Sequence, residues 1–271
     1  MKEYTLIGHP VAKSLSPTIH NTAFKHNKLN CKYTLSDTVL EKLPLKINDI
    51  RSGKISGANV TIPYKCEVIK YVDELCPVAK KCGAVNTLFM KNNKLHGSST
   101  DGQGAVAALK EKNINLTNRK IVVLGTGGAA KAVTAAITSH TKDIIIVGRN
   151  KLKIQEMVSL FEATGCFFDG EKTKKLVTSA DIIINATSVG MFPNINISPI
   201  PDEWIHKEHT VFDLVYKPLQ TKLLQIASTK NATVVDGLGM LIYQAIYAFE
   251  QWTGISPPPQ IIRNVLKNVI R

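Results

Sequence analysis

The chain has 271 residues, which at about 150 residues per domain points to two domains, and 44% hydrophobic against 20% charged residues excludes a disordered polypeptide. No run approaches the roughly 18 apolar residues of a membrane span, and Gly8 and Pro10 interrupt the stretch a secretory signal would need apolar, so a soluble cytoplasmic protein without a membrane partner is expected. The net charge of +13 attracts anions, yet the lysines are scattered singly or in pairs without aromatic interleaving, which argues against nucleic acid as a partner. Five cysteines without a CxxC pair fit a reduced compartment. Without HExxH or another paired spacing among the histidines no metal site is expected, and without GxSxG a hydrolase elbow is excluded.

Short β-branched runs recur along the chain, at Tyr4–Ile7, Lys32–Leu35, Ala58–Thr61 and Val85–Met90, then at Lys120–Leu124, Asp143–Val147, Asp181–Asn185, Val211–Val215 and Thr233–Asp236. Segments with helical periodicity separate them, the alternation of an α/β protein with parallel sheets. Ser16–Pro17 reads as a helix start, with a capping hydroxyl before proline at the first helical position.

Four polar stretches follow predicted strands in the first hundred residues: Ser14–Ser16, Asn59–Lys65, Gly83–Thr87 and Ser99–Asp101. Ligands of open parallel sheets bind beyond the carboxyl ends of the strands, so these stretches are candidates for one pocket suited to a small polyhydroxylated molecule. Taken singly each residue has a plainer reading. Ser16 serves as a helix cap, Asn59 and Thr61 as strand-edge residues, Asn86 as a turn residue, Lys65 as a surface lysine and Asp101 as a loop or cap residue.

A boundary is expected at Asp101–Gly104. Beyond it, the apolar run Ile121–Leu124 enters Gly125-x-Gly127-x-x-Ala130 and then a helix-forming stretch, the context of a dinucleotide fingerprint. Gly125 makes the tight turn, Gly127 lets the backbone approach a pyrophosphate, and Ala130 allows close packing of helix on strand. An ordinary glycine turn in an α/β layer is the plainer alternative. After the next strand an NAD site would place an acid; the chain instead reads Gly148-Arg149-Asn150-Lys151-Leu152-Lys153, and a guanidinium there suits a 2′-phosphate, so NADP is expected over NAD. A second glycine hinge lies at Asp236–Gly239, and an amphipathic helix after Ser256–Pro257 carries Ile261, Ile262, Val265, Leu266 and Val269. If the helices after Gly239 return to the first domain, the nucleotide domain is an insertion.

The stretches GHPVAKSLSPTIHN (8–21), ANVTIPYK (58–65), GAVNT (83–87), STDGQG (99–104), LGTGGAAKA (124–132), INATSVGM (184–191), FDLVYKPLQTKLL (212–224) and DGLGMLIYQA (236–245) together resemble the shikimate dehydrogenase family over essentially the whole chain. The resemblance implies an α/β fold of two domains: a mostly parallel α/β sandwich at 1–101 and 240–271 for substrate, and a Rossmann-like, doubly wound NADP-binding domain at 102–239. It implies reversible NADPH-dependent reduction of 3-dehydroshikimate to shikimate, in the biosynthesis of chorismate and the aromatic amino acids, by a monomer or homodimer. Lys65 and Asp101 are then the catalytic pair; Ser14, Ser16, Asn59, Thr61, Asn86, Tyr216 and Gln244 are substrate ligands. Cofactor contacts fall to Gly125, Thr126, Gly127, Gly128, Ala129, Arg149, Asn150, Lys153, Thr187, Ser188, Met191, Gly237 and Met240. Two stretches depart from the family pattern, at Ser99 where Asn is usual and at Gly148-Arg149-Asn150 where Asn-Arg-Thr is usual, with the arginine kept. A quinate or cyclic-polyol dehydrogenase using NAD, and an NADP-binding protein without turnover, are the competing readings.

Overall fold

The computed structural model describes residues 1–269, and the chain divides into two compact units, Met1–Gly104 with Ile242–Arg271 and Ala105–Leu241. The first unit runs β1 (Lys2–Gly8), α1 (Ser16–His26), β2 (Cys31–Asp37), α2 (Leu43–Arg51), β3 (Gly57–Val60), β4 (Glu74–Leu75), α3 (Pro77–Cys82), β5 (Thr87–Lys91) and β6 (Lys94–Ser98). Helix α4 (Asp101–Glu111) leads into the second unit, which runs β7 (Ile121–Leu124), α5 (Gly128–Ile137), β8 (Ile144–Gly148), α6 (Lys151–Phe161), β9 (Thr164–Phe167), α7 (Gly170–Thr178), β10 (Ile182–Asn185), β11 (Thr210–Asp213), α8 (Lys222–Thr229) and β12 (Thr233–Val235). Helix α9 (Gly237–Thr253) returns the chain to the first unit, which α10 (Pro259–Val269) completes by packing on α1. The second unit is thus an insertion between the parts of the first.

The first sheet has the order β2-β1-β3-β5-β6-β4 and is mixed. Strands β1, β2 and β3 are parallel, β5 runs antiparallel to both β3 and β6, and β6 is parallel to β4. The β5–β6 hairpin turns on Asn92 and Asn93, both left-handed (φ 51° and 60°), the two-residue connection whose twist matches that of the strands. This reversal departs from the expectation that the stretch Gly83–Thr87 follows a strand: Gly83–Asn86 precedes β5, which begins at Thr87. Because β5 is antiparallel, its first residue Thr87 pairs with Asn59 and with Ser98, so the start of β5 and the ends of β3 and β6 share one edge.

In the second sheet all pairings are parallel and the order is β12-β11-β10-β7-β8-β9. This is the doubly wound arrangement, with the order reversing between β7 and β10. Strands β7, β8 and β10 (IVVL, IIIVG, IIIN) are buried throughout, as β-branched runs covered on both faces must be.

Other expectations are corrected. Strands β4, β6 and β9 carry little β-branched content and escape the periodicity. Ser16 does not cap α1 with its side chain; the helix begins at Ser16, and its N–H meets the Ser14 hydroxyl at 3.2 Å. The last helix starts at Pro259 and not after Ser256–Pro257, because a residue followed by proline is disfavoured in helical conformation and Pro257-Pro258-Pro259 moves that restriction forward. Its residues Ile262 and Leu266 are buried, whereas Val269 is exposed.

Candidate active site

In the first unit Lys65, Asn59, Asn86 and Asp101 assemble at the edge shared by β3, β5 and β6, whereas no hydrogen bond among the described residues joins Ser14, Ser16 or Thr61 side chains to that cluster. Lys65 follows β3, and its carbonyl accepts the Val85 N–H at 2.7 Å, which ties it to the segment entering β5. Asp101 is the first residue of α4, where the helix N-terminus favours a carboxylate. The Lys65 Nζ donates to Asp101 Oδ2 at 2.5 Å, with the side chains only 17% and 6% exposed. Ion pairs this sheltered are held by further hydrogen bonds, and here Asn86 Nδ2 donates to Asp101 Oδ1 at 2.9 Å.

Asn86 is the hub. Its Oδ1 accepts from the Thr100 N–H and from Thr87 Oγ1, both at 2.9 Å, which fixes the amide orientation, and its Nδ2 also reaches Gln244 Oε1 on α9 at 3.4 Å. Asn59 Nδ2 donates to the Asn86 carbonyl at 3.0 Å and to Thr87 Oγ1 at 3.3 Å, while its Oδ1 accepts the Tyr33 hydroxyl at 2.8 Å. Ser14 donates to Ser16 Oγ at 3.1 Å, and Thr61, half-buried, directly follows β3. The loop before Asp101 does not rely on position 99: Ser99 Oγ is buried without a hydrogen-bond partner among the described residues, and Asn86 anchors Thr100 and Asp101 instead. Tyr216 belongs to the second unit, on the segment after β11, where burial raises its pKa. Tyr33 is a member of the cluster that the sequence reading missed, and Thr87 and Thr100, which lie in its polar stretches without an assigned role, join it.

The second unit places Gly125 (φ 117°) immediately after β7, so close to β10 that a Cβ would lie 3.0 Å from the Ala186 carbonyl. Gly127 is the N-cap of α5, and a Cβ there would meet nothing within 4 Å. The space at Gly127 and the first N–H groups of α5, which by helix geometry lack a partner within the helix, form a cradle that fits a pyrophosphate at the helix start. Thr126 lies between these glycines; its methyl would be 2.8 Å from a Cβ at position 148, which accounts for Gly148 in this chain. Arg149 and Lys153 are exposed and have no ion pair among the described residues, so this edge offers uncompensated positive charge. Asn150 caps α6, its Oδ1 accepting the Lys153 N–H at 3.0 Å.

At the end of β10, Asn185 Oδ1 accepts from the Thr187 N–H at 3.1 Å and hydroxyl at 2.7 Å, and its Nδ2 donates to Asp213 Oδ1 at 2.9 Å. Asp213 also accepts the Thr221 hydroxyl at 2.6 Å and the Val215 N–H at 3.0 Å; burial pushes its pKa up to about 6. This buried node, not anticipated from the sequence, fixes the segments bearing Thr187, Ser188 and Tyr216. Ser188 and Met191 are exposed, while Gly237 and Met240 are buried in the first turn of α9. Among the described residues no group of three or more His, Cys, Asp or Glu is arranged to hold a metal ion, and no helix is long and apolar enough to cross a membrane.

Comparison with known proteins bears on the whole chain. Residues 6–88 match the model of the shikimate dehydrogenase substrate binding domain, 107–198 that of shikimate / quinate 5-dehydrogenase, and 237–267 that of the shikimate 5′-dehydrogenase C-terminal domain. The shikimate dehydrogenase (NADP(+)) of Methanocaldococcus jannaschii is 41% identical over 268 residues, covering 96% of this chain and 94% of the relative. A crystal structure of a shikimate dehydrogenase in complex with NADP+ superposes with a TM-score of 0.92 at 39% identity, covering 100% of this chain and 96% of the other. The Thermus thermophilus enzyme in complex with NADP(H) and shikimate gives 0.91 at 33% identity, with 99% of each chain covered. A glycine turn opening a helix after β7, a paired lysine and aspartate, and this likeness from end to end lead to one assignment: the chain belongs to the shikimate dehydrogenase family.

Proposed function

We propose that the protein is an NADP-dependent shikimate dehydrogenase that reduces 3-dehydroshikimate to shikimate, reversibly, on the route to chorismate and the aromatic amino acids. It works in the cytoplasm as a monomer or homodimer. The observation that carries this reading is the sheltered Lys65–Asp101 pair within a cluster of hydroxyls and amides. Reduction of a ring ketone needs a hydride at carbon and a proton at oxygen. NADPH supplies the hydride when bound. Lys65 Nζ donates the proton to the forming alkoxide, and takes it back from the hydroxyl in the reverse direction. Asp101 orients the amine and accepts a substrate hydroxyl, its own geometry set by Asn86.

Ser14 and Ser16 supply hydroxyl donors for the substrate carboxylate, Asn59, Thr61, Asn86 and Gln244 address its ring hydroxyls, and Tyr216 is a further substrate ligand. Gly125–Ala129 cradle the pyrophosphate, and Arg149, with Asn150 and Lys153 beside it, receives the 2′-phosphate; Thr187, Ser188, Met191, Gly237 and Met240 make the remaining cofactor contacts. The test is the reduction of NADP+ in the presence of shikimate, followed by absorbance, in a panel that crosses shikimate and quinate with NADP+ and NAD+. Turnover fastest with shikimate and NADP+ supports the reading. Preference for quinate with NAD+, or cofactor binding without any turnover, overturns it.

A further inference from the structure

Tyr33 lies on β2 and pairs with Tyr4 on β1, while Asn59 on β3 pairs with Leu6 of the same central strand. The two residues thus stand on strands two places apart, about 10 Å at ordinary strand spacing. The Tyr33 phenol spans β1 and donates to Asn59 Oδ1 at 2.8 Å. Burial drives the pKa of this phenol far up. The buried oxygen therefore meets a residue proposed to touch substrate, on β3.

The ring that carries this oxygen is held on its face. His20 stacks on it at 4.4 Å and 17°, and Trp252 leans against it at 6.2 Å. With 2% exposure, Tyr33 has no conformational latitude. A core tyrosine that needs only to satisfy its hydroxyl finds a backbone carbonyl, as Tyr64 does with Thr38 O at 2.8 Å. Tyr33 engages a side chain instead. Deleting its hydroxyl leaves Asn59 Oδ1 buried without that donor, while the apolar packing of the ring is kept.

We infer that Tyr33 is a positioning residue for substrate, its hydroxyl setting the orientation of the Asn59 carboxamide. The inference rests on the reading of the protein as a shikimate dehydrogenase. The test is Tyr33→Phe in the full chain, assayed with shikimate and NADP+ well below its unfolding midpoint, beside the unaltered protein. Loss of one neutral hydrogen bond predicts KM for shikimate raised about tenfold, with KM for NADP+ unchanged. A merely structural role lowers the unfolding midpoint and leaves both KM values alone, or moves them together; either result overturns the inference. In an Asn59→Ala background the same substitution adds little to the loss in kcat/KM, whereas full additivity contradicts action through Asn59. An unaltered protein that fails to oxidise shikimate overturns the functional reading and the inference with it; an active one with an unaffected Tyr33→Phe overturns the inference alone.

Discussion

His20 makes the stability of the first unit sensitive to acid in a way that can be worked out from its surroundings. The ring is 1% exposed, stacks on Tyr33 and Phe249, and has no hydrogen-bond partner for either nitrogen among the described residues; the Asn59 amide is close by but outside hydrogen-bonding geometry. Burial lowers its pKa from 6.5 to about 3, with Asn59 opposing weakly. Below pH 6.5 the unfolded chain binds a proton at this position that the folded chain refuses until about pH 3, so folding stability falls as the pH falls through that window. At 1.36 kcal/mol per unit the full displacement is worth about 5 kcal/mol, of which about 2 kcal/mol is expressed between pH 6.5 and 5.

The perturbation is His20→Phe, which keeps a flat ring against Tyr33 and removes the titration. The assay is urea unfolding at several pH values, read from Trp252, whose ring lies 5.1 Å from that of His20, in a Trp204→Phe background that silences the tryptophan of the second unit. Two other buried groups titrate nearby in pH. His209, lowered to about 4 by burial and His206, loses stability with falling pH like His20. Asp213, raised to about 6, acts oppositely, since the folded state retains a proton that the unfolded state releases, and stability falls as the pH rises from about 4 to 6. Both are common to the two proteins and cancel in the comparison. The His20 protein should lose about 2 kcal/mol more than the Phe variant between pH 6.5 and 5. Parallel stability curves refute the reasoning.

Arg149→Ala should raise KM for NADP+ by about tenfold or more through loss of a charge-assisted contact, with KM for NAD+ little changed; equal effects on both cofactors, measured in the same steady-state assay, remove Arg149 from 2′-phosphate recognition. Gly237→Ala and Gly127→Ala separate two uses of glycine. A Cβ at 237 lies 2.5 Å from the Leu214 carbonyl oxygen, so thermal unfolding should show a loss of about 1–3 kcal/mol. A Cβ at 127 meets no protein atom, so that variant should keep its unfolding temperature and bind NADP+ less tightly by calorimetry.

The second unit was legible in the sequence because its signals are local: an unbroken β-branched run, two spaced glycines and a helix-forming stretch lie within a dozen residues, Ile121 to Ala132. The first unit was legible in its residues and not in their contacts. Asn59, Asn86 and Asp101 meet because β5 turns back on Asn92–Asn93, and alternation of apolar residues does not reveal the direction of a strand. Strand β6, KLHGS, looks like a loop; Gly97 belongs there because Val85 Cγ2 would be 2.9 Å from a Cβ. Tyr33 reads as an ordinary strand residue, since its partner lies across an intervening strand and 26 positions along the chain. Asn185 reads as a strand end and Asp213 as a residue inside the run Val211–Val215, although together they form the node beneath Thr187 and Val215.

The most direct test of the account is Lys65→Ala, with kcat for shikimate oxidation measured at saturating NADP+ and cofactor binding measured separately by fluorescence. If the Lys65 amine moves the proton, kcat falls about 10² to 10⁴-fold while NADP+ binds as before. An undiminished kcat, with cofactor and substrate both bound, contradicts the assignment of Lys65 as the acid–base group.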